Sequence, residues 1–365
     1  MKPRTPTTAP HQGIALIIVM ISTTVLGILA AAFAYSMKVE TKLAQNANSE
    51  TELLWLGRSG VEYARYILAQ QLALGCEPYD ALDQIWAGGP GGICTSNSVL
   101  ANLSLKDYPL GDGKFSITIT DLERKYNINI ADEAALQQAL RLIGVDAGEI
   151  PYIAASILDW MDADDNTHIG GTESDFYQGL QPPYYAKNAP IDDLSELLLV
   201  RGVTPEMFWG GVVTNRSPGT LLNRPGFPPG APEGFIGYPV GLVDIFTPIS
   251  NGRININTAS ATVLQMVPLI DEVIAQRIVE LRSGGDSTLG PVGPIGSPGF
   301  GILDALVSAG MSREAAQYVA PYFTVRSSTF EVEVEAEVAG YKRKYYAILA
   351  RNSPRDIQVL SFYWK

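Results

Sequence analysis

The stretch Ile14 to Met37 (IALIIVMISTTVLGILAAAFAYSM) carries no charged residue. An apolar run of about 20 residues is long enough to cross a bilayer as a helix. From Val39 to Leu74 the apolar positions narrow to a stripe. Leu43, Ala47, Leu53, Leu54, Leu56, Val61, Ala64, Ile67 and Leu68 recur near helical spacing, with no proline among them. The pattern predicts one long helix, apolar all round at its start and amphipathic afterwards. Gly75 and Pro78 end it. The period then changes. Lys114 to Asp121 alternates, with Phe115, Ile117 and Ile119 on one face and Ser116, Thr118 and Thr120 on the other. Phe330 to Val338 (FEVEVEAEV) alternates strictly, Gly340 makes a turn, and Tyr345 to Ala350 and Asp356 to Tyr363 read as two further strands.

Between those strands the chain reads differently. Glu133–Ile143, Ile150–Met161, Leu194–Val200, Ala259–Met266 and Asp271–Arg282 have the look of short helices. Gly- and Pro-rich breaks separate them at Arg216–Tyr238 and Ser283–Gly301. The simplest architecture is an α+β fold: a long N-terminal transmembrane helix, a small antiparallel sheet packed on it, and a large all-helical domain inserted between two strands of that sheet.

Composition narrows the function. The chain has 365 residues, 46% hydrophobic and 18% charged, with a net charge of −12. Such a surface repels nucleic acid, whose phosphates need clustered Lys and Arg. His11 and His168 are the two histidines, which leaves little room for histidine catalysis. Two cysteines, Cys76 and Cys94, flank a flexible AGGPGG run. An exported head meets an oxidising compartment, where a Cys76–Cys94 disulfide would stabilise by about 3 kcal/mol in the chain-entropy model; two free thiols are the alternative.

The richest constellation is acidic. Asp162, Asp164 and Asn166 alternate, and Glu173 follows in the ligand register of an EF-hand loop, with the His168 carbonyl in the middle. Thr167 stands where that loop needs glycine, so the reading is a loop calcium site rather than an EF-hand. Hard oxygen donors favour calcium over zinc. Asp159 and Asp175 are further candidate ligands. A solvated acidic loop is the bland alternative. No nucleophile, histidine base or phosphate loop accompanies the carboxylates, so no enzyme is expected. LSELLLVRGVTPEMF and INTASATVLQMVPLIDEVIAQRIVELR resemble helix-hairpin-helix modules, but Val267-Pro-Leu-Ile270 lacks the hairpin glycine that lets backbone amides approach phosphate.

Lys2 and Arg4 sit in a short leader ending at Gly13, just before the apolar run. A secretory signal places its small residue after a shorter apolar region. Here cleavage between Gly13 and Ile14 would leave the helix on the mature chain, an arrangement that resembles a type IV prepilin leader. ITDLERKYNIN, ILDWMDADDN, TESDFY, DDLSELLLVRGVTPEMF and RININTASATVL follow in that order. With the C-terminal strands, they resemble the K-type minor pseudopilins of type II secretion systems. Most pilin-like subunits carry glutamate at the fifth mature residue; here that place is Ile18, and its absence is a K-type habit. The resemblance implies a leader at 1–13 and a transmembrane helix at 14–37. A pilin-like domain would cover 38–126 and 325–365, with the helical insert at 127–324. It also implies calcium in the helical domain, a prepilin peptidase with methylation of the new terminus, and an inner-membrane anchor with a periplasmic head. The subunit would be a non-enzymatic cap at the pseudopilus tip, with other minor pseudopilins and exported proteins as partners. A minor pilin of a type IV pilus and a membrane-anchored DNA-uptake receptor are the rival readings.

Overall fold

The computed structural model describes residues 12–92, 94–95, 98–210, 238–284 and 293–364. The leader up to residue 11 and most of the two Gly/Pro-rich breaks (211–237 and 285–292) lie outside the described residues.

Helix α1 (Gln12–Ala73) is continuous over 62 residues. Its first part exposes every large apolar side chain from Ile14 to Leu43. Past Ser49 one face turns inward, and Leu53, Leu56, Val61, Ala64, Ile67 and Leu68 are buried. Gly57 and Gly60 let it lie close to the sheet. A Cβ on Gly60 would stand 2.4 Å from Cγ1 of Val334, and one on Gly57 2.5 Å from the Tyr345 ring. Cys76 and Cys94, just beyond the helix, form a disulfide with Cα atoms 6.5 Å apart, a usual span for the bond. Buried Glu77 ties down the same loop, accepting from Gln71 Nε2 at 2.7 Å, Gln84 Nε2 at 3.0 Å and the Cys94 N–H at 3.0 Å.

Next come β1 (Tyr108–Leu110) and β2 (Gly113–Asp121), and then the insert. It holds β3 (Tyr126–Asn127), α2 (Glu133–Ile143), α3 (Ile150–Met161), α4 (Ser174–Gln178), α5 (Pro205–Trp209), α6 (Leu242–Ile245) and β4 (Phe246–Thr247). It continues through β5 (Ile254–Asn255), α7 (Ala261–Leu264), α8 (Glu272–Arg282), α9 (Ile302–Ser308), α10 (Arg313–Val319) and β6 (Phe323–Thr324). The chain returns as β7 (Thr329–Val338), β8 (Tyr341–Ser353) and β9 (Asp356–Trp364). The sheet runs β1-β2-β7-β8-β9, antiparallel throughout, and Asp121 pairs with Phe330 where the insert leaves and re-enters.

Helices α2 and α3 fall where periodicity predicts them. Leu194–Val200 does not become an α-helix: Leu194–Leu199 winds as a 3₁₀-helix under an Asp193/Glu196 capping box, and Val200 is already extended. Its tighter winding is of the kind often used in short connecting pieces, here six residues long. The predicted Ala259–Met266 helix shrinks to one turn. β8 is longer than its alternation suggests, because β7 offers partners as far as Val338↔Tyr341. The insert is helical, with two short parallel ladders, β3–β4 and β5–β6, at its seams. It has two cores. One gathers Leu136, Leu140, Ile153, Ile157, Trp160 and Tyr177; the other Ile256, Leu264, Ile278, Leu306 and Phe323.

A buried polar network welds the insert to the sheet. Asp121 Oδ2 accepts from Ser327 Oγ and Thr258 Oγ1, each at 2.6 Å, and from Asn255 Nδ2 at 3.0 Å. Asp80 pairs with Arg351 and accepts the Ser327 N–H at 2.9 Å.

Candidate metal centre

The acidic loop runs from the C-terminus of α3 to the N-terminus of α4. Helix α3 stops because Asp162 turns extended. Three residues earlier, one turn back along the helix, Asp159 is fully buried and organises the loop. Its Oδ1 accepts the His168 N–H at 2.9 Å and lies 2.5 Å from His168 Nδ1; its Oδ2 accepts the Thr172 N–H at 2.5 Å. Gly171 fits against it because a Cβ there would meet Oδ2 at 2.0 Å.

Glu173 precedes α4, near enough to Asp159, Asp162 and Asp165 to feel their charges. Glu173 is only 6% exposed, and both its carboxylate oxygens, like Oδ1 of Asp162, are buried without a hydrogen-bond partner. Burial pushes the Glu173 carboxyl up to about 7, and the charges of Asp159, Asp162 and Asp165 add to the push. Burial also raises Asp162, with Asp164 next in effect. The hydrogen bond to Asp159 is the main cause that raises His168. Unpartnered buried carboxylate oxygens that repel one another fit a hard divalent cation.

The EF-hand register is not what brings these groups together. The His168 carbonyl accepts from the Gly171 N–H at 2.8 Å, and Asp164 Oδ1 accepts from the Asn166 N–H at 2.8 Å. Asp164, Asn166 and Asp175 stand at the exposed rim, Asp175 in the first turn of α4. Asp159, Asp162 and His168 do offer ligand atoms within 4.8 Å of one another. The 2.5 Å gap between His168 Nδ1 and Asp159 Oδ1 is hydrogen-bond spacing, so the ring braces Asp159. Asp162 and Glu173 would hold the ion, with Asp165 beside them. Sequence reading passed over Asp165 and the His168 ring; the density of acids before Asn166 was the signal for Asp165.

The second hairpin module closes differently from a phosphate-binding one. Leu269 adopts a left-handed φ of 66° where glycine would be natural. Asp271 caps α8 with its own carboxylate, Oδ1 accepting the Ile274 N–H at 2.9 Å. That negative cap occupies the helix end a phosphate would need.

Comparison with known proteins agrees with this layout. Residues 114–209, β2 through α5, match the model "Type II secretion system (T2SS), protein K", and 250–286 match a helix-hairpin-helix motif. The type II secretion system protein K of Klebsiella pneumoniae is 24% identical over 211 residues, covering 54% of this chain and 60% of that protein. The Aeromonas hydrophila protein K is 25% identical over 214 residues, covering 56% and 62%. Over these ranges the chain is similar to type II secretion system protein K. It spans about 60% of the length of the relatives it matches. Its fold is also that of a chain in the crystal structure of the GspK-GspI-GspJ complex from the enterotoxigenic Escherichia coli type 2 secretion system. The TM-score is 0.60 at 18% identity, over 88% of this chain and 99% of that one. The acidic loop lies inside the range matched by the protein K model, and the second insert core overlaps the hairpin range.

Proposed function

We propose that this chain is a non-enzymatic minor pseudopilin that caps the tip of a periplasmic pseudopilus in a type II secretion system. One observation carries the reading: α1 is at once an exposed apolar anchor and the spine of a sheet whose end bears a bulky insert. The anchor is long and apolar enough to cross a membrane, which supports a single pass through the inner membrane with the head in the periplasm. Prepilin peptidase would cut between Gly13 and Ile14. Ile18 leaves no carboxylate in the anchor to neutralise a neighbour's amino terminus, which suits a subunit with nothing above it. The likeness to the GspK-GspI-GspJ complex supports I- and J-type minor pseudopilins as partners.

The acidic loop would bind calcium through Asp162 and Glu173, ordered by Asp159. The ion would supply charge neutralisation and loop rigidity, not chemistry. The Asp271 cap and the net charge of −12 speak against a DNA receptor. The test is immunogold labelling of filaments that carry a tagged chain. Label at one end is expected; label spaced along the shaft would overturn the cap.

A further inference from the structure

Asp121 ends β2, where the chain leaves the sheet for the insert, and it is buried. Two more buried carboxylates stand near it: Glu123, two residues on, and Asp80 from the loop after α1. Cations are fewer. Arg351 of β8 pairs with Asp80 and donates to the Ser327 carbonyl at 2.6 Å. Arg326 Nε donates to the Pro78 carbonyl at 2.9 Å. Arg282 of α8 donates to the Ile256 carbonyl at 2.6 Å, with the Arg124 charge close to it. Among the described residues no cation pairs with Asp121 or Glu123. Neutral donors surround them instead. Asp121 Oδ1 accepts the Glu123 N–H at 2.8 Å, and Oδ2 faces Ser327, Thr258 and Asn255. Glu123 accepts from Ser328 Oγ at 2.8 Å and from the Thr329 N–H at 3.0 Å. The insert thus meets Asp121 with one amide and one hydroxyl.

We infer that this seam is a proton-controlled joint: a proton on Asp121 holds the insert against the sheet, and its loss loosens the insert. The network has a place for that proton. Ser327 Oγ lies 2.6 Å from Oδ2 and accepts from Asn255 Nδ2 at 2.7 Å. A hydroxyl both donates and accepts, so it donates to the ionised acid and accepts from the protonated one. Ionised Asp121 is a buried charge without a cation, beside two other carboxylates, which is a costly arrangement. Parting Asn255 and Thr258 from it admits water and relieves the cost. Burial, then the Glu123 charge, push the Asp121 carboxyl up to about 7 from the ordinary 3.8; the Ser327 and Thr258 hydrogen bonds oppose the push and Asp80 adds to it. Opening the seam returns the group toward its ordinary value, so the closed seam binds more protons between those limits. Closure is therefore strongest near pH 4, weakens up to about pH 7 and is level above it.

Amide hydrogen exchange of the full chain in detergent micelles provides the test. Protection is corrected for the intrinsic rate at each pH. It is read at the Asn255 N–H, which binds the Glu123 carbonyl across the seam at 2.8 Å, and at the Ser327 N–H, which binds Asp80. Both should lose roughly tenfold or more from pH 5 to 7 and level off above, while Val334 of β7 and Leu140 of α2 hold. Asp121→Asn cannot ionise and should abolish the fall. Glu123→Gln removes a repelling charge, lets Asp121 ionise more easily, and should move the levelling point to lower pH; it decides the matter where the first variant does not fold. Flat protection in the parent overturns the joint. So does a fall that survives Asp121→Asn, or a levelling point that Glu123→Gln leaves in place. Loss at Val334 and Leu140 in parallel with the seam shows unfolding of the whole head and overturns it too.

Discussion

Glu173 carries the pH response of the acidic loop. Its carboxyl, pushed up to about 7 from the ordinary 4.5, keeps its proton in the folded protein where the unfolded chain has lost it. The folded state then binds more protons, so stability falls as pH rises through that window. A bound cation favours the ionised form and opposes the loss. In chelator the melting temperature should drop between pH 5 and 7. Glu173→Gln should flatten that slope, and excess calcium at pH 7 should restore about 2.7 kcal/mol at a hundredfold excess over Kd. Equal slopes in parent and variant by calorimetry would remove Glu173 from this role. Leu269 gives a second residue-scale expectation. Its left-handed backbone costs about 1–2 kcal/mol, and its side chain is 62% exposed, so little burial is lost on replacement. Glycine gives back about 0.5–1 kcal/mol through chain entropy. Leu269→Gly should raise the urea midpoint by a net gain under about 1 kcal/mol; a lower midpoint would contradict the strain.

At the scale of elements, α1 and the sheet meet through two glycines. Gly60→Ala gains about 1 kcal/mol of helix propensity but drives a methyl into Val334, and overpacking costs about 1–3 kcal/mol. A net loss near 1 kcal/mol is expected in urea unfolding of the chain in detergent. Gly27→Ala has nothing within 4 Å to strike and serves as the control; matched midpoints for the two variants would deny the close approach. The helix was legible because its stripe repeats over many turns. The 3₁₀ turn at Leu194–Leu199 was not, since six residues are too few to separate the two periods. β1, α9 and α10 are short enough to escape periodicity as well.

Over the whole molecule buried polar groups join the loop after α1, the sheet and the insert: Asn255 of the insert donates to Asp121 Oδ2 and to the Asp80 carbonyl, and the Asp80 carboxylate pairs with Arg351 of β8. Arg351 is 4% exposed and Asp80 2%. Removing one partner strands a charge, a loss of about 3–5 kcal/mol. Asp80→Ala should lose that much and speed amide exchange at Asn255, Thr258 and Ser327. Asp80→Ala with Arg351→Met should fall closer to the parent, because no charge is left unpaired. A single variant within about 1 kcal/mol of the parent would show that the pair does not hold the seam.

Local pattern was enough for what is local: the apolar anchor, the spine stripe, the alternating strands around Ile117, Val334 and Ala347, and the density of acids between Asp159 and Glu173. Each is written in neighbouring residues, since helix and strand periods repeat along the chain. Which acids face one another was decided by folding. Asp159 reaches across the loop to His168 and Thr172, while Asp164 and Asn166, in perfect register on paper, swing to the rim. The seam between Asp80, Asp121, Asn255, Ser327 and Arg351 joins segments far apart in sequence. No local spacing records such a meeting, because only packing of the two insert cores against the sheet brings those side chains within hydrogen-bond reach.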